Sequence, residues 1–342
     1  MRAWPLLLLA GIEAEAAAAD RAGLARDVLE ALHQERFAEA LVLASALQRD
    51  WPEDPVGFLM EANVRQTRMR DYRLRDDEPA FLEALARAES RGEALVRSRS
   101  GAEAHFLLGF VRGYRGLHLS RRGDWLGAFK AGRGSLSHMR EALSLDPAFA
   151  DALIPLAAFD YWKARKLPLL FRGSKDRAIE KLERAWADAR LLQVEAAYAL
   201  ETVLLVEGEP VRAFEVNEWL HARYPRNPVG LYHRALLLER LDRRGNALRA
   251  WDELEARLRD SGHISRGFLA ECALQRSRLL SAEGRDVEAD LALQEALAHE
   301  QLRDPSAELD GPLHSADSIA QGICRALAAT STTRQARGRG KP

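Results

Sequence analysis

Ala213-Phe214-x-x-Asn217-x-x-Leu220 is answered 34 residues later by Ala247-Leu248-x-x-Trp251-x-x-Leu254. The same pattern fits Ala40-Leu41-x-x-Ala44-x-x-Leu47, Ala178-Ile179-x-x-Leu182-x-x-Ala185 and the set Ala289, Leu293, Ala296. Residues at i, i+4 and i+7 lie on one face of a helix. A helical pattern that returns at this fixed period marks stacked hairpins, none of which can bury its apolar face alone. A small residue opens each pattern, where a larger one would hold two helix backbones apart at a cost of about 1–3 kcal/mol. The expected fold class is all-α, a right-handed α-solenoid of antiparallel helix pairs.

Working outward, the pairs expected are 22–34 with 37–50, 54–70 with 78–98, 102–120 with 123–145 and 148–165 with 174–189. They continue as 192–207 with 210–223, 228–241 with 245–259 and 266–282 with 286–299. Sustained period-two alternation, the mark of strands, is missing. Pro52, Pro147 and Pro225 each close a second helix, and Pro55 and Pro228 open the next. Gly173, Gly208 and Gly284 each lie five residues before the opening alanine, where a left-handed glycine lets the chain reverse. Asp76-Asp77-Glu78 reads as a helix start, since acids favour that end of the helix dipole.

The ends differ in texture. Met1-Arg2, the apolar run through Leu6–Leu9 and the small-residue stretch Ala14–Ala19 have the layout of a secretory signal peptide. Residues 1–19 are therefore read as a leader and the protein as exported or periplasmic, the other reading being a cytoplasmic chain with a ragged start. Residues 20–302 form the repeat domain and 303–329 a loop with a capping helix. Residues 330–342, rich in Ser, Thr, Arg and Gly, are expected to stay unfolded. No stretch is long and apolar enough for a transmembrane segment. The chain is 47% hydrophobic and 30% charged with a formal charge of −1, which argues against a protein built mainly around nucleic acid or an anionic membrane. Forty-four of the fifty cations are Arg, suited to bidentate carboxylate contacts. Cys272 and Cys324 carry no zinc-type spacing, and whether they pair is open at this level.

Residues 101–134 hold eight glycines, and each glycine inside a helix costs about 1 kcal/mol against alanine. Gly109-x-x-x-Gly113 and Gly123-x-x-x-Gly127 leave smooth strips that admit either close helix packing or a ligand. Leu108-Gly109 with Gly116, Ala142 with Asp146-Pro147, Leu153 with Leu156-Ala157, and the alanine series together resemble the tetratricopeptide repeat (TPR) family. The resemblance spans most of 21–300 and implies surfaces for partner proteins. Residues 106–183 also resemble exported bacterial repeat proteins of undefined role and, more distantly, repeat subunits that accompany periplasmic solute-binding transporters. Two places depart from the family pattern: 54–98 lacks a short turn, and 123–145 is long for one repeat helix. The subset of the family that clamps a carboxylate terminus is excluded, because Ala25, Leu29, Tyr198, Thr202, Tyr232 and Leu236 lack its Lys and Asn.

Tyr198 and Tyr232 stand one period apart, and by the same register Tyr114, Tyr161 and Trp162 point to a concave groove. Aromatics with polar tips suit peptide or apolar-ligand recognition, and equally serve as half-buried packing residues. Nine cations over 91–135 face three acids, making Arg112 and Arg115 candidates for an acidic peptide or small acidic ligand. There is no phosphate loop, no His-Glu-x-x-His and no nucleophile elbow, and the nine His are scattered. No cofactor or metal is implied. The leading expectation is a non-enzymatic scaffold binding protein or peptide; the alternatives are a periplasmic carrier of a small acidic or apolar ligand and a helical-repeat RNA binder.

Overall fold

The computed structural model describes residues 4–166, 169 and 173–339, with side chains from 19 to 329 apart from 166. Helices α1 (Trp4–His33) and α2 (Phe37–Asp50) form the first pair. There follow α3 (Val56–Tyr72) with α4 (Glu78–Ser98), α5 (Ala102–Arg121) with α6 (Trp125–Leu145), and α7 (Leu153–Lys166) with α8 (Ser174–Asp188). Next come α9 (Gln193–Glu207) with α10 (Pro210–Arg223), α11 (Pro228–Arg240) with α12 (Arg244–Asp260), α13 (Arg266–Ala282) with α14 (Asp286–Gln301), and finally α15 (Ala316–Arg339). Among the described residues, extended pairing amounts to one isolated bridge, Leu74 with Glu308. The fold is an all-α solenoid of antiparallel helix pairs.

The opening alanines do what the spacing predicts. Ala40, Ala178, Ala213 and Ala247 are wholly buried, and Ala289 nearly so. The partners on the same face, among them Leu47, Leu182, Leu220 and Leu254, are buried with them. The turn is more uniform than the glycines alone suggest. Five residues before the alanine, φ is positive at Gly173 (68°), Gly208 (81°) and Gly284 (74°), and also at Glu35 (63°) and Asp242 (56°). Gly123 (77°) does the same between α5 and α6. The hairpin geometry thus imposes a left-handed residue even where a side chain makes it cost about 1–2 kcal/mol.

First helices are buried on most sides: α13 hides Phe268, Leu269, Ala270, Cys272, Leu274 and Leu279 around its circumference. Their exposed backbone ends are capped from a distance. The buried carboxylate of Asp151 accepts from the backbone N–H of Arg190, Leu191 and Leu192 (2.9, 2.9 and 2.8 Å) just ahead of α9. Glu308 accepts from the N–H of Arg266 and Gly267 (2.9 and 2.8 Å) at the start of α13. Such bonds satisfy donors that have no partner within the helix.

The chain divides into two compact units. One holds residues up to 66 with 79–204; the other holds 67–78 with the residues from 205 on, so the division falls within α3 and α9. In the second unit, the connector after α3 explains the missing short turn. Arg75 N donates to Ala307 O (2.9 Å), and Leu309 N donates to Arg73 O (2.8 Å), so 73–77 is spent on pairing with 307–309. In the same unit α15 packs Ile319 and Ile323 against Ala270, Ala273, Leu274, Leu293 and Ala296. α15 then runs on to Arg339, so residues 330–339 are helical where the composition suggested an unfolded tail. Ala, Gln and Arg in that stretch have high helix propensity and extend a helix already nucleated by packing. Residues 340–342 lie outside the described set. Residues 4–19 of the expected leader belong to α1.

Candidate functional site

Most of the aromatics expected in a groove are core. Tyr161 and Tyr232 are 1% exposed and Tyr198 is 8% exposed, so none can meet a ligand without repacking. Tyr232 sits edge-on to both Trp251 and Phe268. Tyr114, half-buried, donates its hydroxyl to Asn63 Oδ1 (2.6 Å) and meets Phe81 and Phe110 edge-on. The packing reading describes these four. Trp162 is different: it is 50% exposed.

The glycines of 101–134 serve close helix contact. A Cβ at Gly109 would stand 3.0 Å from Met139 Cε, and one at Gly116 would stand 3.3 Å from the Ala128 carbonyl and Gly132 nitrogen. The seam between α5 and α6 is therefore filled, by backbone at Gly116 and by the Met139 and His138 side chains at Gly109. Arg112 is enclosed in a network: Nη2 donates to Glu93 (2.9 Å), Nε lies 3.5 Å from Glu89, and Nη1 donates to His138 Nε2 (2.9 Å). That bond places the His138 proton on Nδ1, which donates to His105 Nδ1 (2.9 Å), whose Nε2–H reaches Ser100 Oγ (2.9 Å). Burial, and then the charge of Arg112, holds His138 down to about 4. Arg115 pairs with Glu89. Both Arg predicted to hold an anion are thus engaged by carboxylates of α4.

Large apolar side chains also stand open to solvent in the first unit. On α7, Phe159 (41% exposed) and Trp162 lie one turn apart. Lys163 stands 5.3 Å over the Phe159 ring and Arg165 6.0 Å over Trp162. Tyr161, beneath, meets Trp162 edge-on at 5.4 Å. Asp160 between them accepts from Lys163 (3.0 Å) and from Lys181 of α8 (2.5 Å). Burial works against the Asp160 charge, but the two bonds from lysine outweigh it and hold its carboxyl below the usual range. The result is a rigid aromatic pair on a lattice of satisfied polar groups. At the far end of the α5–α6 hairpin, Trp125, Leu126 and Phe129 are more exposed still.

A largely buried titratable cluster lies in the second unit, around Glu271. Glu271, fully buried on α13, accepts from Arg73 Nη1 (2.6 Å), the Tyr232 hydroxyl (2.9 Å) and His314 Nδ1 (2.5 Å). Burial alone would raise the Glu271 carboxyl; Arg73 and the bond from His314 outweigh it and hold it low. Burial and then Glu271 push the Tyr232 phenol well above its ordinary value. The Arg73 guanidinium stacks 3.6 Å from the Phe268 centroid, and a Cβ at Gly311 would overlap it. The neighbouring cavity, lined by Met69, Tyr72, Asp77 and His263, encloses about 10 Å³, room for a water and no substrate. The cluster ties three segments to α13 and opens onto no site. Among the described residues, no three His, Cys, Asp or Glu converge as metal ligands. Cys272 is buried and Cys324 exposed, both as free thiols.

No family model matches the chain, and no curated protein matches it in sequence. Solved structures do match. A human IFIT1 dimer with PPP-AAAA superposes with a TM-score of 0.53 at 16% identity, over 88% of this chain and 60% of that one. The C-terminal part of a TPR repeat-containing protein from Cytophaga hutchinsonii matches over 82% of this chain and 96% of its own (TM-score 0.45, 16% identity). PilW, a type IV pilus biogenesis factor, matches over 69% and 92% (TM-score 0.47, 15% identity). The fold is a helical repeat like that of the IFIT1 structure, and TPR proteins are among the structures that the chain resembles. At these identities the likeness is one of fold. Within this TPR-like chain the residues that sequence reasoning missed are long-range partners: Asp151, Glu308, Arg73 and Glu271. A buried acid within a helical pattern, as Glu271 is between Ala270 and Cys272, was the available signal.

Proposed function

We propose that this TPR-like chain is a non-enzymatic scaffold that holds a protein or peptide partner on the Phe159–Trp162 surface of α7. The observation that carries the reading is Trp162 itself, half exposed yet braced by buried Tyr161 and flanked by Arg165. Binding anchors are characteristically Trp and Arg side chains ordered before the partner arrives, so little entropy is lost on association. The test is partner recovery from extracts of the source cells. Trp162→Ala should weaken recovery roughly thirtyfold, equivalent to about 2 kcal/mol, with an unchanged helical circular dichroism spectrum. An identical partner set at unchanged yield removes the reading.

We also read the protein as exported. The leader layout supports this, as does the exposure of Ala19 and Asp20 ahead of Arg21. Arg21 is engaged in the fold, pairing with Asp54 and Glu103 (3.1 and 2.6 Å), so a cut before it would leave the packed part of α1 whole. Intact mass of the mature protein tests it. The small-ligand alternative loses support with the α5–α6 seam filled and Arg112 engaged; a thermal shift with acidic or apolar small molecules would revive it.

A further inference from the structure

The tip of the α5–α6 hairpin sets exposed aromatic side chains beside its turn. Residues 121–126 are all exposed, an unbroken run that covers the turn and the start of α6. Within that first stretch of α6, Trp125 is 72% exposed, Leu126 81% and Phe129 60%. At about 100° per residue these three, with Lys130 and Arg133, fall within an arc of about 140°. Ala131 stands on the opposite face, and it lies with the backbone of Ala128 and Gly132 against Gly116 of α5. The apolar side chains are therefore directed away from the hairpin seam by the same close packing that the glycines allow.

The charge around them is predominantly positive. Arg122, Lys130 and Arg133 make no ion pair among the described residues, whereas Arg112 and Arg115 on the same hairpin are paired. Asp124 is the acid at the tip, and its Oδ1 is occupied in capping α6, accepting from Gly127 N (2.9 Å). Arg133 stands 5.9 Å over the Phe129 ring. We propose that this tip, Trp125, Leu126 and Phe129 set among Arg122, Lys130 and Arg133, docks on an anionic lipid surface.

The combination matches what the membrane interface rewards. Trp and Phe settle at the headgroup level, and unpaired cations are drawn to anionic lipid. A convex tip offers no pocket in which a partner side chain is enclosed, and its exposed polar groups are nearly all cations. The α7 surface has the opposite character: half-covered rings, an acid paired to two lysines, and a buried brace. No described helix is long and apolar enough to cross a membrane, so the attachment is peripheral. It is independent of the partner assigned to α7, and the variants separate the two.

The test is co-sedimentation of the full chain with vesicles of phosphatidylcholine, with and without phosphatidylglycerol. The wild type should sediment with the phosphatidylglycerol vesicles, and at least tenfold less with pure phosphatidylcholine or in high salt. Trp125→Ala with Phe129→Ala should lower the partition coefficient at least tenfold. Lys130→Gln with Arg133→Gln should lower it roughly 25-fold, about fivefold per lost cation. All these residues are exposed, so thermal unfolding should be unchanged and loss of folding is excluded as the cause. Trp162→Ala should leave vesicle binding intact. Three results overturn the proposal: no sedimentation with either vesicle, equal sedimentation with both, or sedimentation indifferent to the Trp125/Phe129 change. Tip-dependent capture of a protein with no vesicle binding also overturns it, and reassigns the tip to a protein partner.

Discussion

The α11–α12 and α5–α6 hairpins share a left-handed turn residue and an antiparallel layout, yet they distribute volume in opposite ways. In α11–α12 the seam holds bulk. Trp251 is wholly buried and donates Nε1–H to Glu239 (2.5 Å), and Tyr232 packs edge-on against it. In α5–α6 the seam holds Gly109, Gly113 and Gly116, and the large residues Trp125, Leu126 and Phe129 stand in water. Where Gly116 meets the α6 backbone there is no room for side chains, so near the tip apolar volume goes outward, while Met139 fills the seam at Gly109. A glycine seam is thus one way to make a surface sticky without loosening the helices beneath it.

The comparison can be broken from either side, and the largest effect belongs to the bulky region. Glu271→Gln leaves Arg73 buried without its counter-charge and should cost about 3–5 kcal/mol. Chemical denaturation followed by circular dichroism reads the loss; a change under 1 kcal/mol would mean that the cluster is far more solvated than its burial implies. Next come the seams. Gly109→Val should strain α5 against α6 by about 1–3 kcal/mol, and Ala247→Val should do the same at the start of α12. If Gly109→Val is tolerated while Ala247→Val is not, the glycines are not there for contact.

A smaller effect tests the polar side of α5–α6. His138 titrates near 4 in the folded chain against 6.5 for an unperturbed ring. Its folded pKa is depressed, so between those values the unfolded chain binds more protons. The contribution is complete above 6.5 and is lost as pH falls toward 4. The unfolding midpoint of the wild type should drop more between pH 7 and pH 4.5 than that of His138→Gln. Parallel pH curves would sink the idea. The smallest effect is at a turn. Asp242 holds φ 56° with a side chain present, and Asp242→Gly should stabilise α11–α12 by about 0.5 kcal/mol. A lower melting temperature for that variant would show that the side chain earns its place.

The fold was legible because its instructions are local. Alanine, leucine and glycine spaced within a few residues define where helices touch and where they turn. The expected helices appear with ends within a few residues of those read from the pattern, except that α1 begins at Trp4 and not at 22. The candidate site was legible only in part. Trp162 emerges exposed, while Tyr161, beside it, is core: one residue of rotation on a helix separates surface from interior, and the pattern did not place the neighbour that covers one and not the other. Arg112 and Arg115 read as free cations because Glu93 and Glu89, which neutralise them, lie 19 and 26 residues earlier on α4.

Periodicity and side-chain size, written along the chain, are enough to specify paired helices with small-residue contacts. Burial of a given tyrosine, the pairing of a given arginine and the capping of α9 and α13 are different in kind. Arg73 meets Glu271 across 198 residues, and Asp151 caps a helix some 40 residues away. Those meetings depend on how whole hairpins pack, and desolvation then makes each unmet charge too costly to leave alone.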